Sequence, residues 1–446
     1  MNETTSSAGR KSRAAILLAC LLVLAAGVGM RAWFLSMPGF EDDLQWQLGW
    51  GRRICEKGFW DLYTGDFASR KDRPHREVVD YPPVVPLVAA AVYASSGHLK
   101  FPVEDGKRAK VEWRMRTMKG FAVAMEAVFL GLAVAWLLRS REPWRGWAAA
   151  CLVLNPALAF ASAGWGQSDS LGILLVFAAF LAESKNRHAW SCLLILLAVL
   201  AKLQTVVGLI AYFWVLLAKR KYCVFWIQGA VGFIVLLSFV LLFRICGHSN
   251  FTDIYLGAVG AFPSVSWTAW NPWWLAYGPE AARTPDTMMV GPLSLRAWSL
   301  LAWLGASAWG GWRFFRSPVK DLPAALLFLG WVMVCFALLP TQGHERYLCF
   351  GLIFLCLPAA RSPVVLGSVA VMTVVAYLNT THIFRQYLTE GYAGAFPEGS
   401  LAAAAVAMRP PGFQQGLAVL AVAAGLGVAC ALWRETRRDS GAELRA

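Results

Sequence analysis

Twelve apolar runs govern what this chain is able to fold into. They cover residues 14–35, 118–138, 147–163, 170–182, 189–203, 205–217, 222–244, 295–312, 323–339, 346–357, 364–384 and 415–433. Several reach the roughly 20 residues that carry a helix across a bilayer, where only helices and closed barrels satisfy every backbone polar group. Hydrophobic residues make up 58% of the 446 and charged residues only 15%, more apolar surface than a soluble core of this length needs. The pattern predicts an all-α polytopic membrane protein, a single integral membrane domain over 1–446 with about 12 transmembrane helices.

Alternating twelve crossings puts 10–13, 139–145, 185–187, 219–221, 313–320 and the tail 434–446 on one side, and all of these are short and basic. Positively charged short connections stay in the cytoplasm, so that side is predicted to be cytoplasmic. The net charge of +14 is then a topology signal, and no nucleic-acid partner is expected. The first run lacks a small-residue cleavage site before Met37-Pro38 and reads as an uncleaved span. Residues 82–96 are too short, and too interrupted by Pro82, Pro83 and Pro86, to cross. Residues 36–117 therefore form one large extracytoplasmic loop with two or three interfacial helices. Two further extracytoplasmic loops cover 246–294 and 385–413. The ten Cys are scattered without a CxxC pair and read as small core residues. Cys55 and Cys246 fall on the same side and are expected not to pair.

Neither a GxGxxG nor a GxxxxGK[ST] phosphate loop occurs, and the cytoplasmic connections are too short to fold. Any activated substrate must then be lipid-borne and used on the outer side. There, Glu41, Asp42 and Asp43 stand together in PGFEDDLQWQLGW (38–50). On a helix Asp43, Trp46, Gln47, Trp50 and Ile54 share one face. A carboxylate on a stripe with two indoles suits a base held over a sugar; a solvated acidic turn opening an interfacial helix is the ordinary alternative. Lys202, His344 and Arg346 lie at outer span ends, where three unlike polar groups on one side of the membrane suit a phosphate; snorkelling of Lys202 and Arg346, or a Glu345–Arg346 pair within one turn, is the ordinary alternative. Trp165, Gln167 and Asp169 offer a stacking face, an amide and an acceptor for sugar hydroxyls. Trp267, Trp270, Trp273 and Trp274 read as an interfacial aromatic belt. Glu126, inside the second span, is expected to pair with Lys119 at i−7 or with another helix.

Several of these pieces also carry a resemblance. Asp43 with Trp50, then Gly58 and Tyr63, DYPP (80–83), Asn155-Pro156, WGQSDS (165–170), KLQ (202–204), AWNPWW (269–274) and HERYL (344–348) follow one another in this order. In this the chain resembles the GT-C class of polyprenyl-phosphate-sugar-dependent glycosyltransferases. Within that class it looks like the dolichol-pathway glucosyltransferases and the bacterial relatives of the GPI-anchor mannosyltransferases. The match covers roughly residues 37–356. Leu203 departs from the Pro often found in relatives, and Glu126 from an Asp.

The resemblance implies a GT-C-type helical bundle and an inverting transfer of a hexose, mannose favoured over glucose, from a polyprenyl-phosphate donor to a glycan or lipid acceptor. It makes Asp43 the catalytic base, and it gives the donor phosphate to Lys202, His344 and Arg346. Trp46, Tyr81, Gln167, Asp169, Gln204 and Glu345 would contact the sugar or the acceptor, with Glu41, Asp42, Lys119 and Glu126 as a second set. Clustered carboxylates suit hard cations, so Glu41 and Asp42 are candidates for Mg²⁺ or Mn²⁺. The expected location is a bacterial cell membrane with the site facing outward, or the ER membrane in a eukaryote. A transporter or flippase of lipid-linked sugars is the alternative, weakened by the lack of an internal repeat. A non-catalytic subunit of a membrane complex is another.

Overall fold

The computed structural model describes residues 3–63, 79, 81–95, 106–246, 251–252, 254, 263–391 and 410–435. It begins with α1 (Glu3–Ser36), α2 (Glu41–Lys57), the single-turn α3 (Phe59–Leu62) and α4 (Val84–Ser95). The long α5 (Gly106–Arg139) leads to a broken helix made of α6 (Arg145–Val153), α7 (Pro156–Ala159) and a π-helical turn over Phe160–Trp165. Next come α8 (Asp169–Ser184), α9 (His188–Ala201), α10 (Val206–Ala218) and α11 (Tyr222–Cys246). After the short α12 (Pro272–Tyr277) follow α13 (Leu295–Arg316) and α14 (Leu322–Leu338). The chain closes with α15 (Tyr347–Ala359), α16 (Pro363–Gly391) and α17 (Pro411–Glu435). Among the described residues the only strands are a two-residue hairpin pairing Met289–Val290 with Leu293–Ser294.

Each expected apolar run carries a helix, and the chain is an all-α integral membrane protein. Six helical stretches are long and apolar enough to cross a bilayer: Leu18–Ser36, Glu112–Arg139, Arg145–Trp165, Tyr222–Cys246, Pro363–Gln386 and Pro411–Glu435. The other expected spans are shorter or less apolar helices. α14 and α15 are apolar on all sides and buried almost throughout, as a helix at the centre of a bundle must be. α11 is the opposite case. Most of its large side chains, Trp226, Phe233, Ile234 and Ile245 among them, are exposed, which suits lipid contact along most of its length.

Most of the described residues of the expected first loop are helical. α2 lies on α4 so closely at Gly51 that a Cβ there would come within 2.4 Å of the Ala89 carbonyl oxygen. With 12 residues α4 is about 18 Å long, too short to cross. α5 starts twelve residues before the expected run (106 against 118), so it brings a polar stretch of the loop onto the second span.

The two ends of the bundle differ. At one end Arg361 gathers Glu142 (2.8 Å), Asp321 (2.9 Å) and Glu435 (3.7 Å), while Lys219 and Lys221 flank Glu183 at 2.5 and 2.6 Å. The short basic connections thus gather together, and the loops with the candidate residues meet at the other end.

One expectation needs correction. Trp270 and Trp274 are 3% and 8% exposed, so they form no belt. Asn271 accepts a hydrogen bond from the Trp274 N–H (3.2 Å) and caps α12, and this turns both indoles into the core. Of the two partners expected for Glu126, Lys119 or another helix, the second is found: Glu126 binds Arg31 of α1 through two contacts of 2.6 and 3.2 Å and accepts from the Ser162 hydroxyl at 2.5 Å. Arg31 also donates to the carbonyls of Gly27 and Val153. Removing one partner strands the other charge, so Arg31→Ala is expected to cost about 3–5 kcal/mol. A thermal-unfolding series in detergent checks it, with Arg31→Ala and Glu126→Ala expected to fall well below the wild type.

Candidate functional site

Asp43 stands in the first turn of α2, and three features fix the path leading to it. Lys119, fully buried, donates to the carbonyls of Phe34 (3.3 Å), Leu35 (3.1 Å) and Met37 (2.5 Å). These are among the carbonyls that the end of α1 leaves without helical partners. Gly39 then turns the chain at φ 90°, a conformation that favours glycine. Finally the Phe40 N–H donates to the Trp165 carbonyl (2.9 Å), and the two rings stack at 4.3 Å and 9°.

The π-helical turn ends at Trp165, and Gly166 follows at φ 91°. Trp165 Nε1 donates to Asp43 Oδ2 at 2.8 Å, and Gln167 Nε2 donates to the same oxygen. Among the described residues no hydrogen bond reaches Oδ1. The oxygen of the same Gln167 amide accepts from Lys202 Nζ at 3.4 Å.

Lys202 caps the C-terminus of α9, is buried, and forms an ion pair with Asp169 at the N-terminus of α8. The Tyr81 ring lies 5.1 Å from its ammonium. Arg346, just before α15, reaches Asp169 at 3.7 Å and Glu345 at 2.9 Å, and its guanidinium lies 5.6 Å from the Trp165 ring centre. Glu345 is held further by the Thr268 hydroxyl, which donates to its carboxylate and accepts from its backbone N–H at 3.2 Å.

His344 lies 3.9 Å from the Glu345 carboxylate and 5.1 Å, ring to ring, from Tyr347. Burial pushes the imidazole down to about 4; Glu345 opposes this, while Arg346 and Lys202 reinforce it. His344 is therefore neutral at pH 7, an uncharged partner beside two cations. Burial works against the Glu345 carboxylate as well, but the Arg346 guanidinium, aided by the Thr268 hydroxyl, holds it below its usual range.

Asp43, Gln167, Asp169, Lys202, Glu345, Arg346 and His344 thus form one connected group drawn from segments up to 303 residues apart (43 to 346). Three carboxylates face the Lys202 amine and the Arg346 guanidinium. Asp169 is the counterion between Lys202 and Arg346, so an anion entering here competes with it for both.

The remaining candidates take other places. Trp46, Trp50 and Ile54 share one apolar cluster with Tyr81, as the expected helical face requires. Gln204 Nε2 donates to the Tyr347 hydroxyl at 3.3 Å. Lys119 supports the path into α2, and Glu126 belongs to the Arg31 network. The side chains of Glu41 and Asp42, and all of Asp80, lie outside the described residues. Among the described residues no group of three or more His, Cys, Asp or Glu is placed to hold a metal.

Sequence reasoning missed Thr268, Arg31 and the Trp165 N–H as a partner of Asp43. Trp165 stood out only as a flat surface for a sugar, and nothing in a linear pattern aims an indole N–H at a carboxylate 122 positions away. Compared with protein-family models and with curated proteins, the chain matches none.

Proposed function

We propose that the chain is an inverting glycosyltransferase, moving a hexose from a polyprenyl-phosphate donor to a glycan or lipid acceptor on the extracytoplasmic side. The observation that supports it most is the connected group of Asp43, Lys202, Arg346 and their partners at the end of the bundle opposite the basic connections. A sugar on a phosphate already carries a good leaving group, so the reaction needs a base for the acceptor and cations for the phosphate. Asp43 takes the proton of the acceptor hydroxyl. The hydroxyl oxygen attacks the anomeric carbon from the face opposite the phosphate, and the C–O bond to the phosphate breaks with its electron pair going to the departing oxygen. Lys202 and Arg346 receive the growing negative charge, giving up part of their contact with Asp169. Such preorganised charge is often the largest single contribution to rate. His344, neutral, offers a hydrogen bond to the phosphate without a charge. Mannose is favoured over glucose by resemblance. Offering the purified protein polyprenyl-phosphate mannose and glucose in parallel, and following release of polyprenyl phosphate, tests the proposal.

The side of the membrane follows from twelve crossings. A reporter fused after Gly97 is expected to read as extracytoplasmic and one after Arg141 as cytoplasmic. A cytoplasmic Gly97 fusion contradicts the single large first loop.

A further inference from the structure

We infer that Trp165 and Gln167 are positioning residues, which fix Asp43 through one carboxylate oxygen and reserve the other for the acceptor hydroxyl. This deepens the proposed function and rests on Asp43 being its base.

Both donors meet at Oδ2. The orientation of the Gln167 amide is dictated by chemistry: the Lys202 ammonium only donates, so the amide oxygen must face it and the NH₂ must face Asp43. The orientation of Trp165 is dictated by packing. The indole is 2% exposed, stacked on Phe40 at 4.3 Å and flanked by Phe384 at 5.7 Å. It therefore has no room to swing its N–H elsewhere.

The backbone supports the same aim. A π turn holds one more residue per hydrogen-bonded ring than an α turn and recurs at functional sites. Here it ends on Trp165, and the left-handed Gly166 lets the chain reverse so that residues 165 and 167 point at one atom. A Cβ at Gly166 would come within 2.8 Å of the Lys119 stem and 3.0 Å of Leu44. The turn is pinned from below as well, because Ser162 within it donates to Glu126.

The consequence is chemical. A proton arriving at Oδ2 would have to displace two donors, so uptake falls to Oδ1. The carboxylate is thereby held with one basic lone pair presented and its rotation blocked. Proximity and orientation of this kind lower a barrier without adding any contact to the substrate.

A double-mutant cycle tests this against a merely structural tie between α2 and the π turn. Trp165→Phe keeps the ring stack and removes the N–H. It is expected to lower kcat about 10–100-fold, the loss of one hydrogen bond to a charged group, with the donor KM changed less than about twofold. Added to Asp43→Asn, the same substitution should change the residual rate less than about twofold, because there is no longer a base to position. Gln167→Met provides a second arm if Trp165→Phe does not fold, with the same disappearance expected on the Asp43→Asn background. Full kcat in both single variants overturns the inference, as does a penalty of equal size on both backgrounds. If Asp43→Asn alone leaves transfer intact, the base assignment itself fails, an outcome distinct from either of these.

Discussion

Asp43→Asn is expected to lower sugar transfer by roughly 10²–10⁴-fold, the range a positioned general base contributes. The amide keeps the size and shape of the carboxylate and loses the proton acceptor. Because Trp165 and Gln167 both donate to Oδ2, an amide oxygen at that place still accepts both bonds, so folding and donor binding should persist. The amide NH₂ then points where the acceptor hydroxyl must arrive, and a donor there cannot take a proton. Glu41→Gln should do far less, since on an ideal helix that position points about 200° away from Asp43. If Glu41 and Asp42 instead hold a divalent cation together, their variants fail too and a chelator silences the wild type. Steady-state kinetics of the three variants, with and without chelator, separate these outcomes.

The second large effect is expected at Arg346. Replacing it by Ala removes the guanidinium from the group and leaves Glu345 and Asp169 each with one partner fewer. Hydrogen bonds to charged groups are worth about 1.5–3 kcal/mol, so kcat/KM for the donor should fall roughly 10–100-fold. His344→Ala should fall less, by about 10-fold, because a neutral imidazole offers the phosphate one charge-assisted hydrogen bond without the ionic attraction that Arg346 adds. This ordering follows from burial and differs from a view of His344 as a third cation. Donor titrations of both variants at pH 7 check it, and equal losses would contradict it. Unchanged kinetics in both would leave the 344–348 turn with a structural role alone.

Much of this architecture is legible in the chain because it depends on local patterns. Each apolar run carries a helix, although α1 and α5 begin 11 and 12 residues ahead of theirs, and the proline-broken stretch 82–96 carries only the 12-residue α4. The face shared by Asp43, Trp46, Trp50 and Ile54 follows from helical periodicity alone. What is not legible depends on which helices become neighbours. Lys119 meets the end of α1 rather than Glu126 about two turns along its own helix, because three carbonyls converge on its amine there while Glu126 is taken by Arg31. Glu126 meets Arg31, 95 positions earlier, for the same reason: buried charges settle against partners that reach all their polar atoms. Trp270 and Trp274 look like belt residues by composition, yet the Asn271 cap turns them inward. The π turn has no sequence signature that we recognise, and the aim of Trp165 and Gln167 at Asp43 depends on it.

The central claim is that Asp43 drives transfer of a lipid-linked hexose. The most direct measurement reconstitutes wild-type and Asp43→Asn protein in liposomes with a polyprenyl-phosphate hexose and an acceptor pool, and counts labelled sugar appearing in product. The account predicts labelled product and stoichiometric polyprenyl phosphate with the wild type, and at least a hundredfold less with Asp43→Asn, which still binds the donor. Movement of intact donor from one leaflet to the other, with no polyprenyl phosphate released by either protein, would contradict it and identify a transporter.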